Sequence, residues 1–246
     1  LKNSTEPALS VIIPVYNEAQ IVASTVQTLT AYLDGKFPDG DYELIFADDG
    51  SIDATASLIA GLKKPLVRLV SHTPNKGKGA AVRDGMLAAR GKYALFTDCD
   101  LAYGEKAIGY FYDELIKAEK QGTPYQAAIG SRRLSDNGYA GYTPIRKLAS
   151  KTYFKVVALL AGFKYSDSQC GIKCFDTALA RKVFSQCKID GFAFDLEVML
   201  LVAKSDARVL ELPVTIVNHR ASKVHIFRDT MRMLRDVMRI KRIHQM

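Results

Sequence analysis

Apolar residues along this chain come first as short continuous runs and later as helical stripes. Leu9-Ser10-Val11-Ile12-Ile13-Pro14-Val15 has almost no polar break, and a run of this length bounded by turn residues predicts a buried strand. Pro14 has no N–H to offer a neighbour and is expected at the strand's end. Tyr16-Asn17-Glu18 turns the chain into a helix expected to reach about Leu33, and the turn-rich stretch 34–41 returns it. Residues 42–47 predict a second strand that runs into Asp48-Asp49-Gly50-Ser51-Ile52-Asp53, where Ser51 or Asp53 is placed to cap the next helix. A third strand is expected over 66–70. It leads to Asn75-Lys76-Gly77-Lys78-Gly79, whose glycines would let backbone approach an anion at the start of a helix reaching about Arg90. Tyr93-Ala94-Leu95-Phe96 is a fourth strand, ending in Thr97-Asp98-Cys99-Asp100. A helix over 105–120 and a fifth strand over 125–129, closing at Gly130-Ser131-Arg132-Arg133, complete the series.

Strands and helices alternating at these lengths predict an α/β fold, a mainly parallel sheet with helices on both faces. Open sheets of this kind bind ligands at the carboxyl ends of their strands, and every acidic or Gly/Lys cluster above falls there. Asp98 and Asp100 stand out. Two carboxylates this close are costly to bury unless a cation neutralises them, and Mg²⁺ or Mn²⁺ held by one or two carboxylates normally also grips a substrate's phosphates. An Asp-x-Asp taken alone is equally a solvated turn; the convergence of several clusters on one edge is what marks a site.

Beyond residue 133 the pattern becomes helical. A helix over 144–161 carries Arg146, Lys147, Lys151 and Lys155 among apolar residues, and Asp167-Ser168-Gln169-Cys170-Gly171 reads as a loop. Helices near 177–186 and 194–204 follow, then a last strand over 208–216. The tail, 224–244, puts Phe227, Met231, Leu234 and Met238 on one stripe, with Arg228, Arg232, Arg235, Arg239 and Arg242 beside it. Such a helix suits an anionic membrane surface, although a helix packed on its own domain with solvated arginines has the same pattern. The expected organisation is one domain over 1–222, with a donor half to about 130 and an acceptor half from 131, followed by a basic amphipathic helix over 223–246.

Charge sharpens this division. The formal charge is +8, yet residues 1–130 carry 13 Lys/Arg against 16 Asp/Glu, and residues 131–246 carry 21 against 10. A basic half calls for an anionic partner, either nucleic acid or a phosphorylated or anionic lipid surface. The four cysteines are too few and too irregularly spaced for a disulfide framework, which points to a reducing compartment and to Cys170 and Cys174 as packing residues rather than zinc ligands. No apolar run approaches the roughly 20 residues of a spanning helix; the longest is 156–163. The chain opens at Leu1 rather than Met, which leaves room for an upstream segment, an anchor included.

With these motifs in hand, the chain resembles the inverting glycosyltransferases of family 2, and within them the polyprenyl- or dolichyl-phosphate sugar synthases. The resemblance runs from Pro14-Val15-Tyr16-Asn17-Glu18 through Asp49-Gly50-Ser51 and Asp98-Cys99-Asp100 to Ser222-Lys223-Val224. Asn75 to Ala80 and Asp167 to Lys173 look most like dolichyl-phosphate glucosyltransferases, with mannosyl-phosphate synthases as nearest relatives. The resemblance implies the GT-A fold, with Pro14, Tyr16, Glu18 and Asp49 lining a nucleoside pocket. It also implies Asp98 and Asp100 holding donor ribose or diphosphate through a divalent metal, and Lys78 facing donor phosphate. Arg132, Arg146 and Ser150 match positions that grip the lipid phosphate; Arg133, beside Arg132, is open between that contact and a surface charge, since adjacent residues rarely face the same ligand. Arg220-Ala221 stands where the family has glycine, which leaves His219, Arg220 and Lys223 without an assigned role.

The implied reaction moves a hexose, glucose from UDP-glucose, to a polyisoprenyl phosphate with inversion, at the cytoplasmic face of a membrane. A GDP-mannose-dependent mannosyl transfer is the alternative. A phosphate monoester is already mostly ionised near neutral pH, so the acceptor needs positioning more than deprotonation, and Asp167 is the candidate base or orienter. Other classes fit less well. Processive polysaccharide synthases bind polymer through a tryptophan-containing motif, and this chain has no Trp. A basic lipid- or nucleic-acid-binding module leaves the carboxylates unexplained, so no nucleic-acid partner is expected. A nicotinamide dehydrogenase needs a Gly-x-Gly-x-x-Gly turn after the first strand, where Pro-Val-Tyr-Asn-Glu stands instead.

Overall fold

The computed structural model describes residues 6–138, 165–218 and 226–245. The expected helix over 144–161, with Arg146 and Ser150, lies outside them, as do His219, Arg220 and Lys223. Seven strands form one sheet: β1 (Leu9–Val15), β2 (Tyr42–Asp48), β3 (Val67–Ser71), β4 (Tyr93–Phe96), β5 (Ala127–Ser131), β6 (Lys173–Asp176) and β7 (Val209–Pro213). Their spatial order is β3-β2-β1-β4-β6-β5-β7. The helices are α1 (Val22–Lys36), α2 (Thr55–Gly61), α3 (Lys78–Ala88), α4 (Lys106–Lys120), α5 (Thr177–Phe184), α6 (Phe194–Lys204) and α7 (Ile226–Ile243).

The near-continuous apolar runs are explained by burial on both faces, as in parallel sheets generally. Val11, Ile13, Leu44, Phe46 and Leu95 meet α1 and α4 on one side. Ile12, Ile45, Ala94, Phe96 and Phe175 meet α3, α5 and α6 on the other. Fully burying each such side chain contributes roughly 1.5–3 kcal/mol. The polar exceptions inside this layer are matched. Ser10 donates to Glu43 at 2.7 Å, and Glu43 also accepts from Arg68 at 2.5 Å and from the Arg90 N–H at 2.7 Å. Pro14 behaves as expected for a residue without an N–H. Ile12 and Pro14 face β4, whose pairing with β1 ends at Ile12 opposite Phe96, so Pro14 points past the end of its neighbour.

β1 through β4 are parallel and β5 pairs parallel with β7, but β6 lies antiparallel between β4 and β5. The reading from sequence has no strand at 173–176. Lys173 interrupts the apolar character of this four-residue element, yet it is fully buried. The direction of β6 follows from where the chain re-enters the sheet. Ser131, the last residue of β5, and Ser166 share a hydroxyl–hydroxyl hydrogen bond of 2.6 Å, so the chain comes back at the edge from which β5 departs and must run the opposite way. The fifth strand lies two residues later than expected, and the last covers only 209–213 of the expected 208–216.

The tail is helical, as expected, but its apolar register differs. Val237 and Ile240 are buried against the α6 side of the core, whereas Met238, expected on the apolar stripe, is 67% exposed. The side chains of 226–234, including Phe227, Met231 and Leu234, lie outside the described residues. His244 closes the helix onto the domain. Its Nε2 lies 2.7 Å from Glu197 of α6, and its carbonyl accepts from Lys204 at 2.9 Å. Over this final stretch the helix is therefore packed on its own domain. Ile240→Ala should lower stability by about 2–4 kcal/mol in urea denaturation and Met238→Ala by less than about 0.5 kcal/mol. The reverse order would restore the stripe read from the sequence.

Candidate active site

The carboxyl edge of the sheet gathers the acids, and each is held differently. Asp48 and Asp49 end β2. Asp48 accepts from the Ser51 N–H and hydroxyl. Asp49 is only 4% exposed and accepts from His72 at 2.9 Å, the Asn75 amide at 2.8 Å, the Lys76 N–H at 2.9 Å and the Gly77 N–H at 3.0 Å. Its carboxylate thus fastens the 75–77 segment to the end of β2. The other ring nitrogen of His72 lies 2.7 Å from Asp84, so the ring bridges the two acids.

The turn after β1 is tied to the turn after β2. The Asn17 N–H donates to Ser51 at 2.9 Å, the Glu18 N–H to Thr55 at 2.8 Å and the Ala19 N–H to Asp53 at 3.2 Å. Asn17 takes φ 54°, a left-handed conformation that asparagine tolerates, and its side chain accepts from the Ile52 N–H at 2.9 Å. Ser51 and Asp53 therefore serve mainly as staples between loops, though Asp53 also accepts from Thr55 at the start of α2. Tyr16 is left 43% exposed beside this platform.

The start of α3 differs from the sequence expectation. The N–H groups of Gly79 and Ala80 are not open to an anion, because both donate to the Asp190 carbonyl, at 2.7 and 3.3 Å. Glycine is needed there for close packing: a Cβ on Gly77 would lie 2.4 Å from that carbonyl oxygen, and one on Gly79 would lie 2.6 Å from both the Ile189 carbonyl oxygen and the Phe194 Cβ. The 188–190 segment is itself held by Glu197, fully buried, which accepts the Lys188 and Ile189 N–H groups at 2.9 and 2.8 Å.

With its helix packed this way, Lys78 reaches Asp98 at the end of β4 and forms a close ion pair with it. Burial alone would lower the lysine pKa, but the charges of Asp98, Asp195 and Asp100 outweigh it and hold the ammonium above its ordinary value. Behind this pair, Lys173 donates to Asp195 at 2.5 Å and to the Cys170 carbonyl at 2.8 Å, and its ammonium sits over the Phe96 ring. Burial raises the Asp195 carboxyl above its usual range, with Lys173 and Lys78 pulling the other way. Asp100 accepts from the Ala102 N–H at 3.1 Å.

The 165–172 segment crosses this edge. Gly171 comes so near Asp98 that a Cβ would lie 2.6 Å from its Oδ2. Asp167 is fully buried and paired with Arg132: Nε donates to Oδ2 at 2.6 Å, Nη2 to Oδ1 at 2.9 Å and the backbone N–H to Oδ2 at 3.2 Å. Two residues expected to act separately, one on the acceptor phosphate and one as base or orienter, therefore form one bidentate ion pair. Arg133 is exposed. The cysteines are free and buried, and burial pushes the Cys170 thiol up to about 11, which suits packing residues.

Among the described residues no group of three or more His, Cys, Asp and Glu side chains is arranged to hold a metal ion. Asp98 and Asp100 supply two carboxylates, with the Lys78 ammonium standing as the cation against Asp98. This donor set fits Mg²⁺ or Mn²⁺ if the remaining ligands are water and a substrate's diphosphate, the usual arrangement for these hard cations.

A mainly parallel, doubly covered sheet with an Asp-x-Asp at the end of a central strand is the nucleotide-sugar-binding α/β fold called GT-A. The chain belongs to glycosyltransferase family 2, whose family model, Glycosyl transferase family 2, matches residues 10–184. It is 36% identical to the dolichyl-phosphate β-glucosyltransferase of Drosophila melanogaster over 98% of this chain and 76% of the relative, and 32% identical to that of Dictyostelium discoideum over 95% and 73%. In fold it is similar to glucosyl-3-phosphoglycerate synthase from Mycobacterium tuberculosis in complex with Mn²⁺, UDP and glucosyl-3-phosphoglycerate. That match has a TM-score of 0.65 at 19% identity and covers 96% of this chain and 78% of the other. Mannosyl-3-phosphoglycerate synthase from Rubrobacter xylanophilus matches with a TM-score of 0.61 at 21% identity, over 97% and 74%.

Sequence reasoning missed Lys173, Asp195 and Glu197. A signal existed in each case: a lysine between Ile172 and Cys174-Phe175, and two acids inside the apolar run 192–202, are charges in segments otherwise built for the core. The Arg132–Asp167 pair makes a direct prediction. Asp167→Ala leaves a buried guanidinium uncompensated and should cost roughly 3–5 kcal/mol in urea denaturation, while Arg132→Met with Asp167→Leu should recover most of it. A single-variant loss below about 1 kcal/mol would mean that the pair is not buried as described.

Proposed function

We propose that this chain transfers glucose from UDP-glucose to the phosphate of a polyisoprenol such as dolichol, with inversion at the anomeric carbon. One observation carries the reading: Lys78 pairs with Asp98, two residues before Asp100, at the carboxyl end of β4 in a chain 36% identical, over nearly its whole length, to a dolichyl-phosphate β-glucosyltransferase. Asp98 and Asp100 would hold Mg²⁺ or Mn²⁺, which when bound supplies charge neutralisation at the departing diphosphate. Similarity in fold to a synthase crystallised with Mn²⁺ and UDP supports a divalent cation and a uridine nucleotide here.

The protein's own groups supply the rest. Lys78 adds a fixed positive charge where the diphosphate leaves, worth more in a site that excludes water. Tyr16, Pro14 and Glu18 border the nucleoside. Asp49 shapes that pocket at one remove, through the 75–77 segment it holds. Asp167 acts as orienter: with both oxygens taken by Arg132 it fixes the guanidinium rather than removing a proton, and an ionised phosphate acceptor needs no strong base. Arg132, Arg146 and Ser150 are assigned to the acceptor phosphate. The basic tail is assigned to an anionic membrane surface at the cytoplasmic face. No described helix is long and apolar enough to cross a membrane.

Purified protein incubated with a polyprenyl phosphate, Mn²⁺ and either UDP-glucose or GDP-mannose should yield glucosyl lipid from the first and none from the second. Mannosyl lipid alone would shift the assignment to mannosyl transfer. Turnover should cease in chelator, and Asp100→Asn should lower it at least about a hundredfold, since a neutral amide offsets no metal charge. Activity that survives chelation would remove the metal from the reading. Replacing Arg228, Arg232, Arg235 and Arg239 by Gln should weaken binding to anionic liposomes by about 1 kcal/mol per residue. Unchanged partitioning would take the membrane role away from the tail.

A further inference from the structure

The mechanism above leaves Lys78 with an unresolved pairing. In this structure its ammonium rests on Asp98, the same carboxylate assigned to a divalent cation. Once Asp98 turns to that cation, Lys78 has the diphosphate ahead of it but loses the protein carboxylate that held its side chain in place, and another protein anion is needed to aim it.

Asp195 is placed for this task. The first turns of α3 and α6 are in close contact: a Cβ on Gly79, the residue after Lys78, would lie 2.6 Å from the Cβ of Phe194, the residue before Asp195. Asp195 is 7% exposed and lies in the first turn of α6, where a helix favours a negative charge. Its Oδ1 is fixed from behind by fully buried Lys173 at 2.5 Å. Lys173 is in turn fixed by the Cys170 carbonyl at 2.8 Å, one residue before the Gly171 that abuts Asp98. Two ion pairs, Lys173–Asp195 and Lys78–Asp98, are thus brought near one another by the contact of α3 with α6 and of Gly171 with Asp98. The electrostatic attraction of Asp195 acts on Lys78 as well as on Lys173.

We propose that Asp195 is a positioning residue that, with Lys173 behind it, keeps the Lys78 side chain aimed at the donor diphosphate when Asp98 is engaged by the cation. Asp195 touches neither substrate nor cation. It acts through Lys78, and the inference rests on the donor site proposed above.

The test is a double-mutant cycle read by calorimetric binding of UDP in the presence of Mn²⁺, with folding of each variant checked by its urea midpoint. Asp195→Asn, nearly isosteric and still able to accept from Lys173, should weaken Mn²⁺-dependent UDP binding about tenfold in the wild-type background. In the Lys78→Met background the same change should have less than about a twofold effect, because the group through which Asp195 acts is gone. Asp195→Glu, which retains the charge beside Lys173 and so guards against a folding failure, should show the same dependence on Lys78 with a smaller loss of about threefold. Equal losses with and without Lys78, or no loss in either, would overturn the inference while leaving the donor reading in place. A wild-type protein that binds no UDP with Mn²⁺ would overturn the donor reading, and this inference with it.

Discussion

The architecture of this protein depends on neutralising acids where the strands end. The sheet brings Asp48, Asp49, Asp98 and Asp100 to one edge, and Asp167 and Asp195 join them from the segments that cross it. Carboxylates so concentrated repel one another and lose hydration as they are covered, so each must find donors or cations. The solutions differ in kind. Asp49 is saturated by backbone and side-chain N–H groups, Asp167 by one guanidinium and Asp195 by a lysine inside the sheet, while Asp98 meets a lysine from a neighbouring helix. The first three are structural commitments. The last is the one that, in the proposed reaction, a substrate's own cation would replace.

That gradient separates scaffold from site. Arg132 and Asp167 are locked together below the surface, and the Asn75–Gly77 segment is locked onto Asp49, so neither has to be ordered when a ligand arrives. Rigid surroundings let a pair such as Lys78 and Asp98 be exchanged at low cost, because only two side chains must adjust. The close contact of Gly77 and Gly79 with residues 189–190 serves the same end: α3 cannot drift from α6, and Lys78 is carried at a fixed height above β4.

Much of this was legible in the residues. The alternation of apolar runs and helical stretches through residue 131 predicts strands β1 to β5 and the edge on which the acids gather, because burial on both faces leaves little room for polar residues within a strand. What escaped were the charges that break that rule. Lys173 hid β6, since a lysine inside a four-residue strand reads as an end, and only the ion pair with Asp195 makes it tolerable there. Glu197, within the helix expected near 194–204, receives two N–H groups from the preceding loop, partners that helical periodicity does not mark. The glycines near Lys78 suggested an anion at a helix start, whereas a carbonyl from a distant loop takes those N–H groups; partners more than a hundred residues apart leave no local trace. In the tail, the periodicity correctly indicated a helix but left its rotation open by one residue, enough to exchange Val237 for Met238.

The attachment of that tail bears on where this protein can be cut. A basic helix at the end of a chain invites treatment as a detachable appendage, to be trimmed for solubility or traded between relatives. Here Val237 and Ile240 complete the hydrophobic layer over α6, and His244 meets the same Glu197 that holds the loop bearing the Asp190 carbonyl, on which α3 begins. Shortening the chain before Val237 would open the core and remove the side-chain partner of a buried carboxylate that also holds the strut beneath Lys78. The packing seen here extends through His244, so a truncation or graft made ahead of residues 237–244 cuts through the core rather than beside it.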